Sequence, residues 1–187
     1  MTLKVGTSLI VLLVLSALFC ISCNNSVFSV KNGEVKLSIP FGKPYNYDDI
    51  YVKRVIDGDT ILLETGERVR LIGIDTPEMH ESDKLYRDSR RTNQDIQTIK
   101  ALGRRAWEFT KNLVEGKRVR LEFDVEKNDK YGRLLAYVYL KDGTFVNAEI
   151  IKQGYGSLMT IPPNVKYADL FVKLFQEARL NKRGLWQ

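Results

Sequence analysis

The pattern of apolar and polar positions is strand-rich from Tyr51 onward. Tyr51 to Ile56 runs into the turn Asp57-Gly58-Asp59, and Thr60 to Glu64 follows as a second strand. Gly66 makes the next turn, and Arg68 to Ile74 reads as a third strand ending at Asp75-Thr76-Pro77. Met79 to Thr92 is polar, mixed in charge and without periodicity, which predicts a surface loop. Leu102, Ala106, Phe109 and Leu113 then recur as the stripe of an amphipathic helix stopped near Gly116. Val119, Leu121 and Phe123 alternate with Arg118, Arg120 and Glu122, a half-buried strand. Leu134 to Leu140 is another strand, closed by Asp142-Gly143. Val146 to Gln153 predicts a short helix ending at Gly154, and Leu170, Phe171, Leu174 and Ala178 a last helix stopped by Gly184.

Five strands, with a helix between the third and fourth and helices after the fifth, predict an α+β fold over residues 48–187. Its form is a five-stranded OB-fold-type β-barrel with about three covering helices. Ahead of it, Phe28 to Leu37 alternates around Asn32-Gly33, the signal of a tight hairpin, and Pro40, Gly42 and Pro44 break the pattern. Residues 23–47 therefore read as a tether. Residues 1–22 carry Lys4 in a positive start, an apolar run from Leu9 to Phe19 and then small and polar residues, a secretory leader rather short for a membrane span. The small residue before Cys23 resembles a bacterial lipoprotein processing site, with Cys20 where leucine is usual. That implies an exported chain held at the bacterial cell envelope by a lipid on Cys23, or released from it. An uncleaved anchor helix is the alternative.

Composition narrows the chemistry. With 187 residues, 44% hydrophobic and 28% charged, the chain supports one domain with a real core and is neither a disordered tail nor a polytopic membrane protein. The formal charge of +6 favours a polyanionic partner, nucleic acid or anionic lipid, but suits a basic protein without such a partner equally well. Cleavage before Cys23 removes Lys4 and leaves 28 basic residues against 23 acidic, or +5. It also removes Cys20, so no intramolecular disulfide is possible. The single histidine, His80, excludes a histidine zinc cluster. Catalysis here falls to carboxylates and arginines.

Two acid-rich turns stand out, Asp57-Gly58-Asp59-Thr60 and Asp75-Thr76-Pro77-Glu78, each closing a strand. Carboxylates meeting at one end of a barrel suit a hard cation such as calcium or magnesium, although Asp-Gly turns are also common punctuation. Arg70 shares the parity of Ile72 and Ile74, which points its guanidinium into a semi-enclosed site or leaves it snorkelling from an edge strand. Arg133 ends the turn Asp129-Lys130-Tyr131-Gly132-Arg133.

Taken together, Val55-Ile56-Asp57-Gly58-Asp59-Thr60, Arg70-Leu71-Ile72-Gly73-Ile74-Asp75-Thr76-Pro77-Glu78 and Asp129-Lys130-Tyr131-Gly132-Arg133-Leu134-Leu135-Ala136-Tyr137 resemble the staphylococcal-nuclease (thermonuclease) family. Val146-Asn147 and Gly184-Leu185-Trp186 are similar as well. The resemblance implies a calcium-dependent endonuclease acting on DNA and RNA, single-stranded or denatured by preference, with 3′-phosphate products. It implies that Asp59, Asp75 and the carbonyl of Thr76 bind one calcium, that Glu78 is the general base, and that Arg70 and Arg133 grip the phosphate. Lys130 and Tyr131 are left to contact substrate. Met159 and Ile161 stand before Pro162-Pro163-Asn164, where the best-known member has paired tyrosines. His80 reads as a loop residue near substrate, and Arg87, Arg90, Arg91, Lys100, Arg104 and Arg105 as a solvated face or an extended nucleic-acid track. Two other readings compete: a catalytically silent barrel that only binds nucleic acid, and an adhesin whose basic face binds anionic polymers. Nothing in the sequence calls for more than a monomer.

Overall fold

Strand β3 (Ile50–Asp57) starts by alternating, with Ile50 and Val52 buried and Tyr51 and Lys53 facing out. Lys53 and Arg54 then both face solvent, because a register shift between Val52 and Arg54 inserts an extra residue before Val55 turns back into the core. β3 pairs antiparallel with β4 (Thr60–Leu63), and β4 with β5 (Arg68–Leu71). β7 (Arg118–Glu122) and β8 (Leu134–Leu140) complete a closed barrel in the order β3-β4-β5-β8-β7, in which only the β5–β8 pair is parallel. Val52, Ile61, Leu63, Val69, Ala136 and Val138 are fully buried and fill the barrel.

This is a computed structural model, and it describes residues 27–31, 34–38 and 45–187. Two compact units divide the chain, Met1–Tyr45 and Asn46–Gln187. In the first, β1 (Val27–Lys31) and β2 (Glu34–Ser38) pair antiparallel with Lys31 opposite Glu34. The expected leader over 1–22 and the lipid-bearing Cys23 lie outside the described residues.

Around the barrel lie α1 (Asp83–Thr92), α2 (Ile96–Val114), α3 (Val146–Lys152) and α4 (Ala168–Leu180), with a 3-10 turn at Gly184–Trp186. Among the described residues the helices number four, where about three were expected. The addition is α1, which occupies most of the stretch read as a loop. It has no apolar stripe to announce it, since Leu85 is its one buried residue, and its ends are fixed by caps instead. Ser82 accepts a hydrogen bond from the Leu85 N–H at 3.1 Å, and Asn93 ends the helix at a φ of 54°.

The third strand also differs from the sequence reading. It breaks after Leu71 and resumes as β6 (Gly73–Asp75), which leaves the barrel and pairs antiparallel with β9 (Ser157–Met159). Gly73 makes the break possible. Its φ is 87°, and a Cβ there would collide with the ring of buried Phe171 on α4.

Asn147, fully buried at the start of α3, ties this bend to the barrel. Its Nδ2 donates to the Ile72 carbonyl at 2.9 Å, and its Oδ1 accepts the Val138 N–H at 2.9 Å. Removing the amide strands two buried backbone groups away from water. Asn147→Ala is expected to destabilise the domain by about 2–4 kcal/mol, seen as a lower urea midpoint at unchanged slope.

Candidate active site

Asp59 sits in the turn between β3 and β4, 6% exposed. Its Oδ2 accepts both the backbone N–H and the hydroxyl of Thr76 at 3.0 Å, so the first acidic turn is joined directly to the second. Its Oδ1 accepts the Thr60 hydroxyl at 3.0 Å and lies 2.6 Å from Nη1 of Arg70. That last contact lacks hydrogen-bond alignment and leaves the buried Nη1 without a hydrogen-bonding partner, so the attraction is ionic. Nη2 of Arg70 donates to Asp75 Oδ1 at 3.1 Å and lies 3.6 Å from the Met159 sulfur. One guanidinium thus bridges Asp59 and Asp75, with only 12% of the Arg70 side chain exposed. The semi-enclosed reading of Arg70 is the one realised.

Lys84, from the first turn of α1, reaches into the same cluster. Its ammonium donates to the Thr76 carbonyl at 3.0 Å and lies 3.1 Å from Asp88 Oδ2, 3.4 Å from Asp75 Oδ2 and 3.4 Å from Glu78 Oε1. Burial alone pushes this lysine down, but Asp75, Asp88 and Glu78 outweigh it and hold the ammonium above its usual range. Two of the carboxylates are pushed up as well, which for them disfavours the charged form. Burial first, then Asp59 and Glu78, push Asp57 up to about 6. Burial also raises Asp75, with Lys84 opposing and Asp59 adding to the rise.

The opposite wall comes from the approach to β8. Asn164 clamps this segment by accepting the Glu126 N–H at 2.8 Å and donating to the Glu126 carbonyl at 2.9 Å. Asp129 then folds the turn around itself, accepting from the backbone of Tyr131 and Arg133 at 2.9 Å and from Nε of Arg133 at 2.7 Å. The Tyr131 ring is 72% exposed, with the Lys130 ammonium 5.0 Å from its centroid. A cavity of about 590 Å³ separates the two walls, and Asp59, Arg70, Asp75, Glu78, Lys130, Tyr131 and Arg133 all line it. Of the residues singled out in the sequence, Thr76 does not line it. Its side chain is buried, and its carbonyl is turned to Lys84. Ile161 lines the rim where an aromatic ring was noted as missing, 62% exposed.

His80 is exposed, as are Arg87, Arg90, Arg91, Arg104 and Arg105. Several members of that basic group have partners: Arg91 with Asp88, Lys100 with Glu81, and Arg105 with the Gly184 carbonyl. Sequence reasoning missed Lys84, because a lysine in a polar stretch taken for a loop carries no signal. The cap formed by Ser82 before a buried Leu85 is the clue that could have found it.

The donor set suits a hard cation. Among the described residues, no three His, Cys, Asp or Glu side chains gather to hold a metal by themselves. Yet two aspartates and the Thr76 carbonyl offer oxygen ligands of the kind calcium takes, completed by water. A cation already rests on two of the three, since the Lys84 ammonium contacts Asp75 and the Thr76 carbonyl.

Gly103 of α2 sets the position of Glu78. A Cβ at residue 103 would lie 2.7 Å from the Glu78 backbone carbonyl and from the Pro77 carbonyl oxygen, contacts that only a glycine permits. Gly103→Ala is expected to cost about 1–3 kcal/mol in urea denaturation, by forcing the segment carrying Glu78 off the helix.

Residues 68–187 match the family model described as Staphylococcal nuclease homologue. The chain is 42% identical over 139 residues to the Thermonuclease of Staphylococcus intermedius, covering 73% of this chain and 74% of that protein. It is 34% identical to the Thermonuclease of Staphylococcus hyicus over 72% of this chain and 73% of that protein. With Endonuclease YncB of Bacillus subtilis it shares 36% identity, over 74% of this chain and 61% of the relative. Both the matched residues, which include Arg70, Asp75, Glu78 and Arg133, and the identity over most of its length place this chain in the staphylococcal nuclease family.

Proposed function

We propose that this protein is a calcium-dependent endonuclease that hydrolyses phosphodiester bonds of DNA and RNA. One observation carries the reading. Carboxylates from two separate acidic segments, and arginines from β5 and from the turn before β8, open onto a single cavity. An anion-binding module needs the arginines but has no use for buried carboxylates beside them. The relatives named Thermonuclease and Endonuclease support the same reaction class.

The division of labour follows from charge. Attack by water on a phosphodiester builds negative charge on the phosphoryl oxygens, and the guanidiniums of Arg70 and Arg133 stabilise it there as hydrogen-bond donors. Both are held in advance, Arg70 by Asp59 and Asp75 and Arg133 by Asp129, so little ordering remains when substrate arrives. Glu78, whose side chain is 18% exposed, takes the proton from the attacking water. The bond from phosphorus to the 5′-oxygen breaks as the oxygen of the water bonds to phosphorus. The 5′-oxygen takes up a proton from solvent and departs as a hydroxyl, Glu78 returns its proton to solvent, and the phosphate stays on the 3′ side. Calcium held by Asp59, Asp75 and the Thr76 carbonyl supplies further positive charge next to the phosphate when bound. Lys130 and the exposed ring of Tyr131 lie at the cavity mouth, suited to a neighbouring phosphate and a stacked base. The enzyme acts outside the cytoplasm, tethered by a lipid on Cys23 and the segment up to residue 47.

Heat-denatured DNA incubated with the protein tests this. Cleavage is expected with calcium, to stop in chelator, and to fall by about 10²–10⁴-fold in Glu78→Gln with binding retained. Tight, salt-sensitive binding without cleavage under any divalent ion would make the chain a binding module instead. Radiolabelled palmitate is expected to enter the wild-type chain expressed in a bacterium and not Cys23→Ala.

A further inference from the structure

The ammonium of Lys84 rests on two of the three ligands that the proposed function assigns to a metal ion. Its four acceptors are the Thr76 carbonyl, Asp75, Glu78 and Asp88, at 3.0 to 3.4 Å. Two of them are assigned to the cation and a third is the assigned base. Two cations cannot share these oxygens: a calcium ion needs them at about 2.3–2.6 Å, and the resulting repulsion in a partly buried pocket is strong.

The lysine is held against local preference. It lies in the first turn of α1, where the helix dipole disfavours positive charge. Leu85, wholly buried next to it, fixes that turn against the protein, so the side chain is aimed at the cluster by the backbone. The side chain nevertheless has a second place to go. Asp88 lies one turn further along the same helix, and 24% of the Lys84 side chain is exposed on a flexible four-carbon stem. The ammonium can leave Asp75, Glu78 and the Thr76 carbonyl while keeping Asp88.

We infer that Lys84 is a tethered counter-ion which occupies the divalent-cation position in the metal-free protein and is displaced by the metal. It holds the crowded carboxylates together when no metal is bound, and it weakens metal binding by competition. The nuclease therefore has a raised calcium threshold, set by one side chain of α1. This rests on the calcium site of the proposed function, and the experiment separates the two.

Calcium is titrated calorimetrically into the chelator-stripped full chain, and thermal unfolding is followed with and without calcium. The variants are Lys84→Met, Lys84→Gln, the charge-keeping Lys84→Arg, and Lys100→Met as a control, since Lys100 pairs with Glu81 and does not line the cavity. Both neutral variants at residue 84 are expected to bind calcium at least about tenfold tighter, and to melt lower than wild type only in chelator. Lys84→Arg and Lys100→Met are expected to stay within about threefold of wild type. Neutral variants that bind calcium no tighter than wild type would overturn the inference and leave the calcium site standing. Neutral variants that fail to fold even in calcium would overturn it too, because the metal should replace the ammonium. If neither wild type nor any variant binds calcium, the calcium assignment falls and the inference with it.

Discussion

The chain leaves the barrel at Gly73, and the acidic cavity depends on that departure. Had β5 continued straight, Asp75 through Glu78 would have run on along the barrel wall, and the two acidic turns would not meet. The positive φ of Gly73 and the approach of the Phe171 ring force the bend, and β9 receives the diverted strand. Asn147 satisfies the carbonyl of Ile72 that the bend leaves open. From there the hydrogen bonds of Thr76 to Asp59 close the link between the two turns.

Electrostatic balance at the site is maintained by pairing rather than by exposure. Arg70 answers two aspartates, Lys84 a third oxygen set, and Asp129 holds Arg133 at the other wall. For Asp129, burial pushes the carboxyl up, but hydrogen bonds from Arg133 and Tyr131 overcome that and hold it below the usual carboxylate range. Among the described residues Asp57 has no ion pair, and burial first, then Asp59 and Glu78, push its carboxyl up to about 6. A site with this much buried negative charge favours any cation that can reach it.

Much of this was legible in the sequence, because barrels write themselves as short alternating runs separated by Gly and Asp turns. Leu134–Leu140 is a strand as read, and Arg118–Glu122 alternates as read. The motifs around Asp59, Asp75 and Arg133 named the residues that meet across the cavity. What stayed hidden has particular causes. α1 is too polar to carry an apolar stripe and is held by its caps. The buried face of α2 runs through Ile99, Gly103, Ala106, Thr110 and Val114, where a glycine and a threonine take core positions against Glu78 and Gly58. The apolar stripe Leu102, Phe109 and Leu113 lies beside that face, only partly buried. β9 is three residues long, and nothing local to it records that β6 would need a partner.

The parallel pairing of β5 with β8 has a consequence for how the molecule comes into being. Arg70 lies opposite Leu135 in that pair, so the wall carrying Arg70 and the wall carrying Arg133 are joined through strands separated by roughly sixty residues of chain. Making that contact requires closing the long loop that holds α1, α2 and β7, at an entropic cost that grows with its length. Until then neither wall of the cavity has its counterpart. A nascent or partly unfolded chain therefore has no assembled phosphate site, and the appearance of that site during folding reports closure of the whole barrel.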